Sequence, residues 1–182
     1  MKPDLVLKLN TLVFILTSMT CYQGTTHGYP WLGLIALAIH YSLFLPATTA
    51  KAKRVLVAVL TGLIGFVADS TLIWLGVYSV SSSSRWLISD PLCPEWILVL
   101  WLNFGFMLYI FWQILAKSRW TPPITGIIFS FIIMGNASHM GLIAFRSPTW
   151  HGYLIIAVCW AIIVPLCAFY SIRLFGETHA RS

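Results

Sequence analysis

The chain has 182 residues, of which 59% are hydrophobic and only 9% are charged. Soluble domains carry about 25% charged residues, so this composition excludes a soluble globular protein and indicates a polytopic membrane protein. The net charge of +6 would favour nucleic-acid binding in a soluble protein. Here the basic residues stand at the ends of apolar runs, where they act as topology signals, and no nucleic-acid partner is expected.

Six apolar runs predict an all-α membrane protein, a bundle of six transmembrane helices in one domain covering residues 1–182. Crossing a bilayer takes roughly 20 residues, and each run is close to that length. In chain order the predicted spans are 5–22, 29–45, 55–78, 95–116, 123–145 and 150–175. The polar segment 79–94 contains four consecutive serines and is interpreted as a flexible loop.

The basic residues are divided unequally between the two sides of this predicted bundle. Nine lie on the side of the termini and two on the other, and because cytoplasmic loops are enriched in Lys and Arg, both termini are predicted to be cytoplasmic. The nine are Lys2, Lys8, Lys51, Lys53, Arg54, Lys117, Arg119, Arg173 and Arg181, and the two are Arg85 and Arg146.

The third span carries a charge, Asp69, well inside its apolar sequence. A carboxylate at this depth costs about 2.5–3.5 kcal/mol on insertion scales, so a compensating contact is expected. Ala58, Gly62, Gly65 and Asp69 are spaced as one narrow stripe of a helix. Small residues allow close approach of a second helix, so the stripe predicts that Asp69 faces protein and not lipid.

Counting residues from the outer boundary places Asp69, Asn103 and Asn136 at a similar depth, with His139 about one turn further out. The sequence therefore predicts a polar cluster of these four residues, accompanied by Ser70. Two interpretations stay open: the groups join helices by hydrogen bonds, or they form a functional site in which Asp69 and His139 are the catalytic candidates.

Other candidate residues lie outside this predicted cluster. His40 lies in the inner half of the second span and is a candidate binding residue, but its depth differs from that of His139, which disfavours a haem pair. Cys21 and Cys93 both lie near the outer face, where a disulfide is one interpretation. The sequence contains no catalytic motif and no Cys/His metal spacing, so neither a cofactor nor a metal is predicted.

The sequence resembles a family known as domain of unknown function (DUF) 2878, whose members are small bacterial inner-membrane proteins. The resemblance extends over nearly the whole chain. It is carried by His27-Gly28-Tyr29-Pro30-Trp31-Leu32-Gly33 with His40, by Asp69-Ser70, by Leu100-Trp101, and by Trp160-Ala161 with Pro165. It implies a multi-pass location in the bacterial inner membrane, adds Trp31 to the binding candidates, and through neighbouring genes implies a link to membrane lipid modification.

Two segments depart from the family pattern. Tyr109-Ile110-Phe111 stands where the family has Asn-His-Ser, and Gly135-Asn136-Ala137-Ser138-His139 stands where it has Gly-Gly-Pro-x-Ser-Tyr. The fourth and fifth spans therefore carry polar groups particular to this chain.

Three functions remain open from the sequence, with membrane lipids and either a second copy or another membrane protein as the expected partners. An accessory or structural protein predicts a dry, packed layer around Asp69. A lipid-modifying enzyme predicts a lateral opening near Asp69 and His139. A small-molecule transporter or proton-coupled permease predicts a water path through the Asp69 layer.

Overall fold

The computed structural model describes residues 3–46 and 50–179, which form six α-helices and one short pair of strands. The helices are α1 (Pro3–Thr26), α2 (Leu32–Phe44), α3 (Lys51–Trp74), α4 (Glu95–Leu115), α5 (Thr121–His139) and α6 (Thr149–His179). The strands are β1 (Tyr78–Val80) and β2 (Ile143–Phe145), and a single 3-10 turn covers Ser82–Ser84. Two of the charges used to predict orientation, Lys2 and Arg181, lie outside the described residues.

Four of these helices, α1, α3, α4 and α6, are long and apolar enough to cross a membrane, so the chain has the composition of a multi-pass membrane protein. The other two predicted spans form shorter helices. α2 has 13 residues, a rise of roughly 20 Å, which is less than the roughly 30 Å of a hydrocarbon core. α5 has 19 residues.

The strand pair changes the ends of two predicted spans. α3 ends at Trp74 and α5 at His139, and each is followed by a glycine with positive φ, Gly76 (69°) and Gly141 (70°). The chain then becomes extended, and Tyr78 pairs with Phe145 in an antiparallel ladder. Within the predicted spans 55–78 and 123–145 the helices therefore end earlier than predicted, because an apolar strand cannot be told from a continuing helix by hydrophobicity alone.

α4 is the central helix and packs against α1, α2, α3 and α6. The predicted small-residue stripe of α3 is confirmed at this interface, because Gly62 lies against Leu102 and Gly65 lies against the indole of Trp101. On the facing helix, Gly105 lies against Ala58. These glycines allow the two helices to approach closely enough for side chains of α4 to reach Asp69.

α5 packs mainly on α6 and makes few contacts with α4. Gly126 of α5 lies directly against the backbone of Trp160, so no side chain separates the two helices there. α1 packs on α2 and α4 at the other side of the bundle. This arrangement leaves a gap between α1 and α5, with α4 behind it.

The loop before α4 is organised, which corrects its interpretation as a flexible segment. Glu95 is buried, and its carboxylate accepts hydrogen bonds from the backbone N–H groups of Trp86, Leu87 and Ile88. Arg85 forms an ion pair with Asp90. A carboxylate that takes several backbone donors fixes the path of a loop that has little regular structure of its own.

Candidate functional site

The gap between α1 and α5 is a groove of about 310 Å³, within the size range of small-molecule sites. α1 and α5 form its two walls and α4 its floor. Its lining consists of Phe14, Ile15, Ser18, Met19, Tyr22 and Gln23 from α1, Leu100 and Phe104 from α4, and Phe129, Ile132, Ile133, Asn136 and Met140 from the α5 side. The surface is mainly apolar, with a few polar groups on α1 and α5.

The rim of the groove is open at the side of the bundle. Ile15, Met19 and Ile132 line it and remain 47%, 53% and 54% exposed. These residues lie in the middle of apolar helices, so the opening faces the region where lipid chains would be. The hydroxyl of Tyr22 crosses the groove and donates to the carbonyl of Ile133 at 3.3 Å.

A small recess of about 20 Å³ adjoins the inner side of the groove. Leu100, Phe104, Phe129 and Ile133 line both spaces. The rest of the recess is formed by three tryptophans, Trp96, Trp101 and Trp160, together with Ile97, Met134 and Val164. The rings of Trp101 and Trp160 pack at 4.6 Å between centroids.

Asp69 lies behind this recess and is fully buried. Trp101 Nε1 donates to its Oδ2 at 2.6 Å, and Tyr78 Oη donates to its Oδ1 at 2.9 Å. The carboxylate thus holds the ring of Trp101 and ties α3 to both α4 and β1. Each oxygen has a buried donor, which compensates the desolvation of the carboxyl group. Asp69 lines neither the groove nor the recess.

A second polar cluster lies between α1, α2 and α4. His40 is fully buried, with Nδ1 at 2.8 Å from Asn103 Oδ1 and Nε2 at 2.7 Å from Asn10 Oδ1. Asn103 Nδ2 donates to the carbonyl of Phe14 at 3.0 Å and to Ser18 Oγ at 3.1 Å. Because its amide nitrogen is occupied, Asn103 presents its oxygen to His40, and Nδ1 therefore carries a proton. A neutral His40 then requires Asn10 to turn its amide nitrogen toward Nε2, because two acceptors form no hydrogen bond.

The predicted cluster of Asp69, Asn103, Asn136 and His139 does not form. Asn103 bonds with His40 and not with Asp69, while Asn136 and His139 are exposed. Asn136 does line the groove. The reason is rotational: Trp101 and Asn103 are two residues apart on α4, a turn of roughly 200°, so they point to opposite sides of the helix.

The remaining candidates fall at separate places. Ser70 Oγ accepts the backbone N–H of Cys93 at 2.9 Å, which joins α3 to the loop before α4. Trp31 is exposed beside Tyr29, with ring centroids 6.0 Å apart.

Cys21 and Cys93 are both buried and free, so the disulfide interpretation is wrong. Burial raises the pKa of the Cys93 thiol well above its ordinary value, which disfavours the thiolate that reacts.

Two buried groups were missed by sequence reasoning. Asn10, which is not among the residues predicted from the sequence, is buried against His40. Its spacing to Thr17 and Cys21, both buried, is helical and could have revealed an inward face of α1. Arg54, counted as a loop charge, is buried in α3, where it donates to the carbonyls of Phe44 and Phe106.

The groove has the chemistry of a binding site more than that of a catalytic one. Among the residues that line the groove, Ser18 would be the candidate nucleophile, because it contacts the cluster around His40 through Asn103. However, Ser18 Oγ donates to the carbonyl of Phe14 at 3.0 Å and accepts from Asn103 Nδ2. No base within this network takes its proton, as nucleophilic catalysis would need. Within the described residues, no group of three or more His, Cys, Asp or Glu side chains is placed to hold a metal ion.

The fold and the groove define a helical membrane protein with a lateral apolar site. The chain belongs to the family described as Protein of unknown function (DUF2878), which matches residues 7–166. This confirms the resemblance found in the sequence. No curated protein and no solved structure matches the chain significantly. Three of the residues that carry the resemblance, Leu100, Trp101 and Trp160, line the recess.

Proposed function

We propose that the chain crosses the bacterial inner membrane six times, with both termini in the cytoplasm. The distribution of Lys and Arg supports this orientation. α2 and α5 complete the six spans even though they are short, since the turn at Tyr29–Trp31 and the strand pair add apolar length at the outer side. The organised loop before α4, with its Arg85–Asp90 ion pair, would then face the periplasm.

A reporter fusion tests this orientation. Alkaline phosphatase inserted after Ser82 is expected to be active, because the enzyme folds only where disulfides form, and the same insertion after Lys117 is expected to be inactive. A fluorescent protein fused at Ser182 should be bright in the cytoplasm. Activity at Lys117 together with inactivity at Ser82 would reverse the proposed topology.

We propose further that this protein is an accessory membrane protein that holds a lipid-phase molecule in the groove between α1 and α5. The observation that carries the proposal is the groove itself: it is large enough for a ligand, mainly apolar, and open at the side of the bundle. A site reached from the bilayer selects ligands that are dissolved in lipid. The occupant we propose is therefore a chain-bearing lipid.

Two alternatives have less support. An enzyme with Asp69 and His139 as catalytic partners would need them close together, but the carboxylate bonds with Trp101 and Tyr78, and His139 is exposed. A transporter using Asp69 would need a water path to a side chain that is fully buried. A packed Asp69 layer is what an accessory protein predicts.

Electron paramagnetic resonance tests lipid binding in the groove. We expect stearic acid with a nitroxide at C12 to give a motionally restricted component in vesicles containing the full-length protein. Ile132→Trp fills the rim and should remove at least half of that component. Ile128→Trp is the matched control, because Ile128 is 50% exposed on the same helix but does not line the groove.

Equal restricted components in the wild type and both variants would show only general contact of lipid with the protein surface, and the proposed function would be wrong. The same holds if the restricted component is absent from the wild type. Both variants are first checked for equal abundance and for the same elution volume in detergent.

A further inference from the structure

The groove between α1 and α5 carries an amide side chain on each wall, and both amides are at the same end. Gln23 lies three residues before Thr26, where α1 ends, and Asn136 lies three residues before His139, where α5 ends. Three residues of helix rise by roughly 5 Å. In the proposed topology these are the outer ends of the two helices, so the groove is polar close to the outer membrane boundary.

A hydrogen bond across the groove brings its two walls into register. Tyr22 Oη donates to the carbonyl of Ile133, and Gln23 and Asn136 are the next lining residues of their helices in the outward direction. The two amides therefore follow this hydrogen bond on the same side of it. Among the described residues that line α1 and α5 further inward, Ser18 alone is polar, and its hydroxyl already donates within α1.

The amides of Gln23 and Asn136 are available to a ligand. Both residues are exposed, and within the described part of the chain neither side chain forms a hydrogen bond. An amide side chain both donates and accepts, so a hydroxyl group satisfies it in both roles. A phosphate or a carboxylate only accepts, and it would bring a charge to a groove in which no described lining residue is charged.

We propose that the groove selects a lipid with an uncharged, hydroxyl-bearing headgroup, which lies between the amides of Gln23 and Asn136 while its chain runs inward along α1 and α5. The inference rests on the proposed lipid binding and adds the chemical class and the direction of the ligand. Phe14 lines the inner end, nine residues before Gln23, a rise of roughly 14 Å. This is about half of the hydrocarbon core, which fits a lipid of the outer leaflet.

Three probes with a C16 chain separate the headgroup from the chain: 1-monopalmitoylglycerol, hexadecyl phosphate and hexadecane. Each is added to the full-length protein in nanodiscs, with displacement of the spin-labelled stearic acid as the measure of binding. We expect the glycerol ester to displace the label about tenfold more effectively than either of the other probes, the effect of roughly one hydrogen bond.

Substitution of the two amides tests their part in this preference. Gln23→Leu and Asn136→Leu should each reduce the advantage of the glycerol ester several-fold, because each removes one hydrogen-bonding partner of the headgroup. Gln113→Leu is the matched control, since Gln113 is exposed on α4 and does not line the groove. The three variants are first compared for abundance and for elution volume in detergent.

Two methionines of the groove report the direction of the lipid in the protein with both amides intact. Met140 follows Asn136 at the outer end, and Met19 lies one turn inward of Gln23. With methionine methyl groups labelled by ¹³C, glycerol monostearate with a nitroxide at C5 should broaden the Met140 signal more than the Met19 signal. A nitroxide at C16 should reverse that order. The broadening measured in Ile132→Trp is subtracted, because it comes from lipid on the protein surface.

The outcomes separate the two proposals. If the three probes displace the label equally, if hexadecyl phosphate is the most effective, or if both leucine variants keep the preference, the headgroup inference is wrong while lipid binding in the groove stands. Stronger broadening of Met19 by the C5 label would overturn the proposed direction. If none of the probes displaces the label, the proposed function fails as well.

Discussion

Replacing Asp69 by alanine is expected to lower the free energy of unfolding by about 2–6 kcal/mol, from about 1–3 kcal/mol for each of two orphaned donors. The indole N–H of Trp101 and the hydroxyl of Tyr78 would both stay buried without an acceptor. The loss also frees the ring of Trp101. We expect a clear fall in the midpoint of thermal aggregation in mild detergent, and reduced abundance in the membrane.

Asp69→Asn should have a smaller effect than Asp69→Ala. The amide oxygen still accepts from Trp101, and the amide nitrogen can donate to the oxygen of Tyr78, which leaves only the phenol hydrogen without an acceptor. Tyr78→Phe removes the hydroxyl altogether, so the amide nitrogen of Asp69→Asn would lose its acceptor and the double variant should be less stable than Asp69→Asn alone, a coupling that a double-mutant cycle measures.

The matched control for this series is Thr71→Ala. Thr71 is exposed on the same helix, and its hydroxyl donates to the carbonyl of Val67 one turn earlier. A stability of Asp69→Ala equal to that of Thr71→Ala would contradict a structural role for the carboxylate. Full stability combined with lost lipid binding would instead assign Asp69 a direct role at the site.

Gly126→Ala is expected to destabilise the protein by about 1–3 kcal/mol, the usual cost of overpacking. An added Cβ would fall on the carbonyl of Trp160, and backbone cannot move aside as a flexible side chain can. α5 would have to separate from α6, which is its main packing partner. The same displacement would move the α5 wall of the groove, so the lipid-restricted component should also change.

Gly135→Ala provides an unusually close control, since the substitution is identical and lies on the same helix. A Cβ at Gly135 meets nothing within 4 Å. Alanine is a better helix former than glycine by about 1 kcal/mol, so this variant should be neutral or slightly more stable. If Gly126→Ala is as stable as Gly135→Ala in thermal aggregation, the close contact of α5 with α6 is not what the structure indicates.

The helical spans and the inward face of α3 were predictable because hydrophobicity and helical spacing are local properties of the chain. The helical period of 3.6 residues is enough to predict that Ala58, Gly62 and Gly65 lie on the same face of α3 as Asp69. The identity of the facing helix was not predictable from that pattern. Contact between α3 and α4 depends on how helices far apart in the sequence are arranged.

The polar cluster failed as a prediction because depth fixes one coordinate of a residue and leaves its rotation about the helix free. Asn103 has the depth expected of a partner for Asp69 but points toward α1 and α2. Trp101 is an aromatic residue in an apolar run, and the sequence did not indicate that it donates a hydrogen bond to the carboxylate of Asp69. Its indole N–H is one small polar group on a large apolar ring, which hydropathy does not detect.

The sequence by itself determined that this is a helical membrane protein of the DUF2878 family, and that Asp69 faces protein through a stripe of small residues. Only the tertiary structure decided that Asp69 binds Trp101 and Tyr78, that His40 lies between two asparagines, and that α1 and α5 stand apart over α4. The physical reason is that membrane insertion depends on the summed hydrophobicity of each segment, whereas a site depends on which faces of different helices meet.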